Sequence, residues 1–272
     1  MSDGDAATAF APGHVTGFFS VERTETPERT GSRGAGVTLS TGVTTRVEPA
    51  EETRVRLNGR AVDVGSVTRV LDALDATAAV SAETALPLGA GFGVSGAMAL
   101  GAALAANSAF DAGLSENDLV TVAHAAEVEA GTGLGDVVAQ ARGGVPIRVE
   151  PGAPAHGRLD GVPDAGRVEY VSFGGLSTSE VIGGDTETLS AAGADALDRL
   201  REHPTLPQFM ALSREFSREA GLLDGEVEAA VEAVTDAGSE AAMAMLGETV
   251  FALGTGLSDA GYDPEVCRVH PA

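Results

Sequence analysis

The sequence predicts an α+β fold. Strand-like and helix-like segments are mixed along the chain without the regular alternation that builds a doubly wound parallel sheet. A Gly-rich turn, "PLGAGFGVSGAM", runs straight into an Ala- and Leu-rich helix, and no internal repeat divides the chain.

Taken in order, residues 1–9 are small and acidic and are expected as a flexible tail. "TAFAPGHVTGFFSVE" reads as a short strand, a Pro-Gly break and a second apolar segment. "TETPERTGSRGAGVTLSTGVTTRVEP" alternates turn-forming clusters with strand-like Val and Thr. Asn58-Gly59 between alternating segments predicts a hairpin. "VTRVLDALDA" predicts a short amphipathic helix, and "TAAVSAETALP" a strand that Pro87 ends. A helix follows from about Ser95 to Phe110, and Ser115 with Asp118 has the spacing of a capping box that opens the next one.

"TGLGDVVAQARGGVPIRVEPGAPAHG" reads as loop, short helix, Gly-Gly turn and strand. The Gly-, Pro- and His-rich "EPGAPAHGRLDGVPDAG" is the best linker candidate, which sets domains at 10–155 and 156–272. Beyond it come a strand at "RVEYVSF", two or three helices across Glu187 to Ala237, and a strand pair around Leu246-Gly247-Glu248.

Composition narrows the function. The 272 residues are ample to bury a core, and a hydrophobic share of 43% excludes overall disorder. The formal net charge is −23, and all 17 basic residues are Arg. Such a balance opposes binding to nucleic acid or to anionic membranes, which need cations against phosphate. The carboxylates are dispersed rather than gathered in a tail, as suits a protein kept soluble in concentrated salt, where screening shortens self-repulsion. Cys267 is the only cysteine, so neither an intrachain disulfide nor a Cys zinc site can form. No apolar run reaches the roughly 18 residues of a membrane span, and "MSDGDAATAF" lacks a signal-peptide pattern. A soluble cytoplasmic protein is expected.

The Gly-rich turn contains GFGVSG, a literal G-x-G-x-x-G. A dinucleotide fold also needs a parallel strand ending in an acid about 20 residues on. Asp111 lies near that distance, but "FDAGLSENDLV" leads from helix to helix. A Walker A loop needs Lys, which this chain lacks. Two readings are left: a backbone cradle for an anion at a helix N-terminus, with Ser95 reaching a phosphate-bound Mg²⁺, or a plain helix start capped by Ser95.

Other segments weigh on that choice. "PLGAGFGVSGAM" resembles the P-x-x-x-G-L-G-S-S-A phosphate loop of the GHMP kinases, the superfamily of galactokinase, homoserine kinase and mevalonate kinase. "APGHVTGFF" is similar to their first motif, "AHAAEVEAGTGLGDVVAQARGG" to their A-x-x-A-E helix and the loop carrying a catalytic Asp, and "MLGETVFALG" stands where their third motif is expected. Within the superfamily, these segments and "GSRGAGVTL" are most similar to an archaeal branch that phosphorylates a small hydroxy acid.

The resemblance implies a two-domain fold, with an N-terminal part like ribosomal protein S5 domain 2, a ferredoxin-like C-terminal part and the site in the cleft between them. It implies ATP and Mg²⁺ as cofactors. Pro87, Gly89, Ala90, Gly91, Phe92, Gly93, Val94, Ser95 and Gly96 would cradle the triphosphate, Val94 replacing the first serine of the family loop. Ser95 and Glu127 would hold Mg²⁺, with Glu129 as the rival acid, and Asp136 would be the catalytic base.

His14 replaces the usual Lys or Arg of the first motif. It either binds the substrate or is a buried hydrogen-bonded residue, and Thr16 is a polar candidate beside it. A hydroxy acid needs a cation for its carboxylate. Arg33, flanked by glycines, is the first candidate, with Arg142 and Arg148 as rivals. Gly247 and Thr249 are secondary candidates in the third motif. The rival functions are another small-alcohol kinase of the superfamily, of homoserine or mevalonate type, and a non-catalytic nucleotide binder. The partner implied is a small molecule, and a homodimer is compatible with the sequence.

Overall fold

Runs of Val, Thr and Phe around the first two glycine-rich segments form two long antiparallel strands, β1 (Ala7–Glu22) and β2 (Gly31–Pro49). The structure is a computed structural model that describes residues 5–175 and 186–272. The expected break at Pro12-Gly13 is a register shift inside β1, with a second between Thr16 and Phe18. A bulge lets a strand carry Pro without ending, and it re-aims the side chains that follow. The turn-like clusters of "GSRGAGVTLSTGVTTRVEP" likewise lie within one continuous strand, because pairing with β1 overrides local turn chemistry.

The segments that follow form the expected elements. Asn58-Gly59 turns β3 (Arg54–Leu57) into β4 (Arg60–Ala61). Helix α1 (Gly65–Ala73) then leads to β5 (Ala78–Glu83), which pairs with β2 and runs parallel to β3. Helix α2 (Val94–Ala109) buries twelve of its 16 residues. Its small Ala residues and side-chain-free Gly101, which lies against Thr45, let it lie close to the sheet.

Helix α3 (Glu116–Ala130) opens with the capping box: Ser115 Oγ accepts the Asp118 N–H at 3.3 Å, and Asp118 Oδ2 accepts the Ser115 N–H at 3.2 Å. After it come α4 (Asp136–Arg142) and β6 (Val145–Glu150), which pairs with the end of β2 near Gly34. The first sheet has the order β4-β3-β5-β2-β6-β7, with β1 on β2.

Two boundaries differ from expectation. Ala7–Ala9 are strand residues paired with Val47–Thr45 rather than tail. The linker candidate contains β7 (Arg158–Val162), which pairs with β6, so the first sheet extends past residue 155.

The second part is a four-stranded antiparallel sheet of order β11-β8-β10-β9. Its strands are β8 (Arg167–Gly175), β9 (Ala241–Ala244), β10 (Gly247–Leu253) and β11 (Glu265–Arg268). Helices α6 (Leu206–Glu219), α7 (Gly225–Asp236) and the single turn α8 (Gly256–Asp259) pack with it, while α5 (Glu187–Glu202) packs on β1, β2 and α6. Phe209 of α6 stacks on Phe18 of β1 at 6.1 Å and on Phe251 of β10 at 6.2 Å, which joins the two parts through one core. The chain end returns to the first sheet: the His270 N–H donates to the Thr38 carbonyl, and the Gly144 N–H to the His270 carbonyl, both at 2.9 Å. Among the described residues no helix is long and apolar enough to cross a membrane.

Candidate active site

The Gly-rich turn ends at the mouth of a cleft of about 290 Å³ between the two sheets' loops. Gly89, Gly91 and Gly93 have φ of 70°, 86° and 61°, the left-handed region that glycine enters without strain. Gly93 is the N-cap of α2 and offers no side chain, so no side-chain cap occupies the first-turn N–H groups of Val94, Ser95 and Gly96. Ser95 is therefore not the cap of the bland reading. Gly89, Gly91, Phe92, Gly93, Val94 and Ser95 line the cleft, whereas Pro87, Ala90 and Gly96 do not. Ala90 is buried and its carbonyl accepts the Thr249 hydroxyl at 2.8 Å. Gly247 lies so close to Ala90 that no Cβ would fit. Both secondary candidates of the third motif thus hold the loop from behind rather than face the cleft.

Asp136 opens α4 and lines the same cleft. His14, at the β1 bulge, is fully buried, and its Nδ1 lies 2.7 Å from Asp136 Oδ1. Of the two roles open to His14, the structure supports the buried hydrogen-bonded one; it does not line the cleft. Burial pushes its imidazole below the ordinary range, against the pull of Asp136, so the ring is neutral at pH 7 and donates from Nδ1. For Asp136 burial acts upward, but the His14 hydrogen bond and the charge of Arg148 outweigh it and hold the carboxyl below its ordinary value. Gln140, one turn along α4, donates from Nε2 to the Gly93 carbonyl at 2.8 Å. One short helix therefore ties the acid to the glycine loop.

Behind Ser95 lies Glu127, 2% exposed on α3. Ser95 donates to its Oε2 at 3.2 Å and Thr132 to its Oε1 at 2.9 Å. Burial pushes this carboxyl up to about 7 despite those hydroxyls. Glu129 faces solvent instead and pairs with Arg69 at 3.6 Å, which removes it as the rival ligand. A buried carboxylate with hydroxyls but no cation around it, beside a Ser at a helix N-terminus, fits Mg²⁺. That ion takes one or two carboxylates and completes its shell with phosphate and water. No cluster of three acidic, His or Cys ligands exists among the described residues.

The expectation for Arg33 is not met. Its neighbour Ser32 lines the cleft, and alternation along β2 sends Arg33 the other way, where Nε donates to the Val149 carbonyl at 3.0 Å. Arg142 lines a separate cavity with Glu116 and Asn117. Arg148 is the guanidinium in the cleft: it is 2% exposed, and its Nε and Nη1 have no hydrogen-bond partner. Burial pushes it down to about 10, against the pull of Asp136, so it is charged at neutral pH. Thr16 lines the cleft as expected.

Ser32 and Gln140 were not among the sequence candidates. The signal for Arg148's place was an Arg inside the apolar strand "VPIRVE", where a charge is buried only for a reason.

A glycine cradle at a helix start, a carboxylate at its side and a buried hydroxyl–carboxylate pair behind it define a phosphotransferase of the GHMP kinase superfamily, to which the chain belongs. Residues 64–144 match the GHMP kinases N terminal domain. The chain is 34% identical to a pantoate kinase of Methanocaldococcus jannaschii over 251 residues, 90% of this chain and 91% of that one. It is 36% identical to a pantoate kinase of Thermococcus kodakarensis over 263 residues, 90% of this chain and 86% of that one. Within the superfamily, the chain belongs to the pantoate kinases. A solved phosphotransferase related to the coenzyme A biosynthesis pathway superposes with a TM-score of 0.86 at 31% identity, covering 98% of this chain and 96% of that one. A homoserine kinase from Cytophaga hutchinsonii shares the fold at a TM-score of 0.67 and 18% identity, over 99% of this chain and 96% of that one.

Proposed function

We propose that this chain transfers the γ-phosphoryl group of ATP to the 4-hydroxyl of (R)-pantoate, a step toward coenzyme A. The observation that carries the reading is that Asp136 and the buried Arg148, two of whose donors have no hydrogen-bond partner in the protein, line one cleft at the glycine loop. A hydroxy acid brings one hydroxyl for the first and one carboxylate for the second.

Phosphoryl transfer asks mainly for positioning and charge neutralisation. The amides of Gly93 to Gly96 point the α2 dipole at the triphosphate, and Ser95 with Glu127 would hold Mg²⁺, which supplies charge neutralisation to the β- and γ-phosphates. Arg148, which lines the cleft, takes the substrate carboxylate. Asp136 is bonded to His14 through Oδ1, which leaves Oδ2 for the 4-hydroxyl. As that oxygen attacks the γ-phosphorus, the bond to the β–γ bridging oxygen breaks and the hydroxyl proton passes to Asp136. Its lowered pKa makes Asp136 a weak base. That suits a loose transition state, in which the hydroxyl becomes acidic late. Neutral His14 fixes the carboxylate's orientation from behind.

The acidic, Lys-free composition supports a cytoplasm rich in salt as the working environment of a soluble enzyme. The test is formation of 4-phosphopantoate and ADP by purified protein in molar potassium chloride. Asp136→Asn should lower kcat by about two to four orders of magnitude while ATP still binds. Homoserine turnover exceeding pantoate turnover would reassign the substrate.

A further inference from the structure

The turn joining β9 to β10 is Met245-Leu246, followed by Gly247 at the start of β10. Its backbone is gripped on two sides: the Met245 N–H donates to the Thr16 carbonyl at 2.9 Å, and Gly247 abuts Ala90. Leu246 has φ of 68°. Among the described residues, the other non-glycine positions with positive φ are Asn58, Asp75 and Asp111. Asn and Asp tolerate that region through short polar side chains; a bulky apolar side chain does not, and hairpins ordinarily place Gly there. Strain of this kind persists where the side chain is used.

Leu246 lines the cleft together with Phe19, Leu134 and Met245, the same cleft that holds Asp136 and Arg148. Pantoate carries, between its carboxylate end and its reacting hydroxyl, a carbon bearing two methyl groups. The polar groups of the site account for its two ends. The methyls need an apolar wall.

Resting on the pantoate reading, we propose that Leu246 is a specificity-determining residue whose side chain packs on the dimethyl carbon and selects branched over unbranched hydroxy acids. Burying two methyl groups is worth a preference of roughly tenfold or more. The competing substrate is (R)-2,4-dihydroxybutanoate, which is pantoate without its methyls.

The experiment measures kcat/KM for both acids with wild type, Leu246→Gly and Leu246→Ala, alongside thermal midpoints. Wild type should favour pantoate by about tenfold or more, and both variants should shrink that preference about fivefold or more, mainly through pantoate. The midpoint of Leu246→Gly should hold or rise, because relief at positive φ offsets lost contact. A merely structural leucine would lower the midpoint and keep the preference, which overturns the proposal. So does a proportional loss on both acids, which places Leu246 on the nucleotide, and so does a wild type indifferent to the methyls. If wild type phosphorylates neither acid, the pantoate reading itself fails, and that is visible before any variant is made.

Discussion

Replacing Arg148 with Met keeps most of the side chain's volume and removes the one charge placed to meet a carboxylate. The guanidinium is 2% exposed, with Nε and Nη1 unpartnered in the protein. Truncating one side of a buried charge pair costs about 2 to 5 kcal/mol, much of it from leaving the other charge unmatched. Taking roughly 3 to 4 kcal/mol, kcat/KM for pantoate should fall about 150- to 900-fold, with KM carrying most of the loss.

Folding stability should move little or improve, because Met brings no charge into an apolar site. The assay is steady-state kinetics on pantoate and on 2,2-dimethyl-1,3-propanediol, which has the methyls and a hydroxyl but no carboxylate. The loss on the diol should be far smaller. An Arg148→Met enzyme with unchanged kcat/KM for pantoate would falsify the carboxylate role. An equal loss on both compounds would transfer Arg148 to the phosphates.

Gln140→Leu removes the side-chain donor to the Gly93 carbonyl, which keeps only the Ala97 N–H of its own helix. It should cost about 0.5 to 1.5 kcal/mol of stability and about tenfold in kcat, read by thermal melting and steady-state kinetics; unchanged kcat would mean the glycine loop holds its shape unaided. Glu169 is buried on β8 and accepts from the Ser258 N–H at 3.0 Å, from the Ser258 hydroxyl at 2.7 Å and from Arg167. Burial acts upward on its carboxyl, but those bonds outweigh it and hold it below its ordinary value. A carboxyl depressed on folding contributes stability above its unfolded pKa, which is lost as pH falls through the folded one. Melting points should therefore drop as pH falls below about 4, and Glu169→Gln should flatten that drop while costing about 1 to 2 kcal/mol at pH 7. A wild-type and variant pair with parallel acid profiles would remove Glu169 from the acid transition.

Much of this was legible because it is local. Asn58-Gly59, the Ser115–Asp118 box and the glycine turn each specify backbone within a few residues, and they stand as expected. What failed was long-range. Pro12-Gly13 reads as a break until β2 supplies a partner that absorbs it as a register shift. "GRLDGV" reads as linker until β6 pairs with it. The same limit separated the arginines. Arg33 and Arg148 sit on strands that pair at Gly34 and Arg148, and a strand's two faces differ by one residue. Sequence gives both strands an Arg near the site; pairing register decides which one enters the cleft.

That register also explains the chemistry's economy of residues. His14, Glu127 and Arg148 are buried ionisable groups from three elements in a core mostly of Ala, Val, Leu and Phe, and Asp136 meets them from the wall of the cleft. Two of them bond each other, His14 Nδ1 and Asp136 at 2.7 Å, and that pair orients the base, although His14 Nε2 has no partner. Glu127 has only hydroxyls, and two donors of Arg148 have nothing. Buried charges without protein partners are expensive, and a fold retains them where a ligand of opposite charge completes them. The signs are ordered accordingly: acid where a divalent cation belongs, guanidinium where a carboxylate belongs, and between them a carboxylate held ionised against burial. Exchanging Glu127 for Gln and Arg148 for Met would leave the fold's packing nearly intact, yet no arrangement of the remaining residues supplies either charge. The specificity of the site therefore resides in which charges the core leaves unpaired.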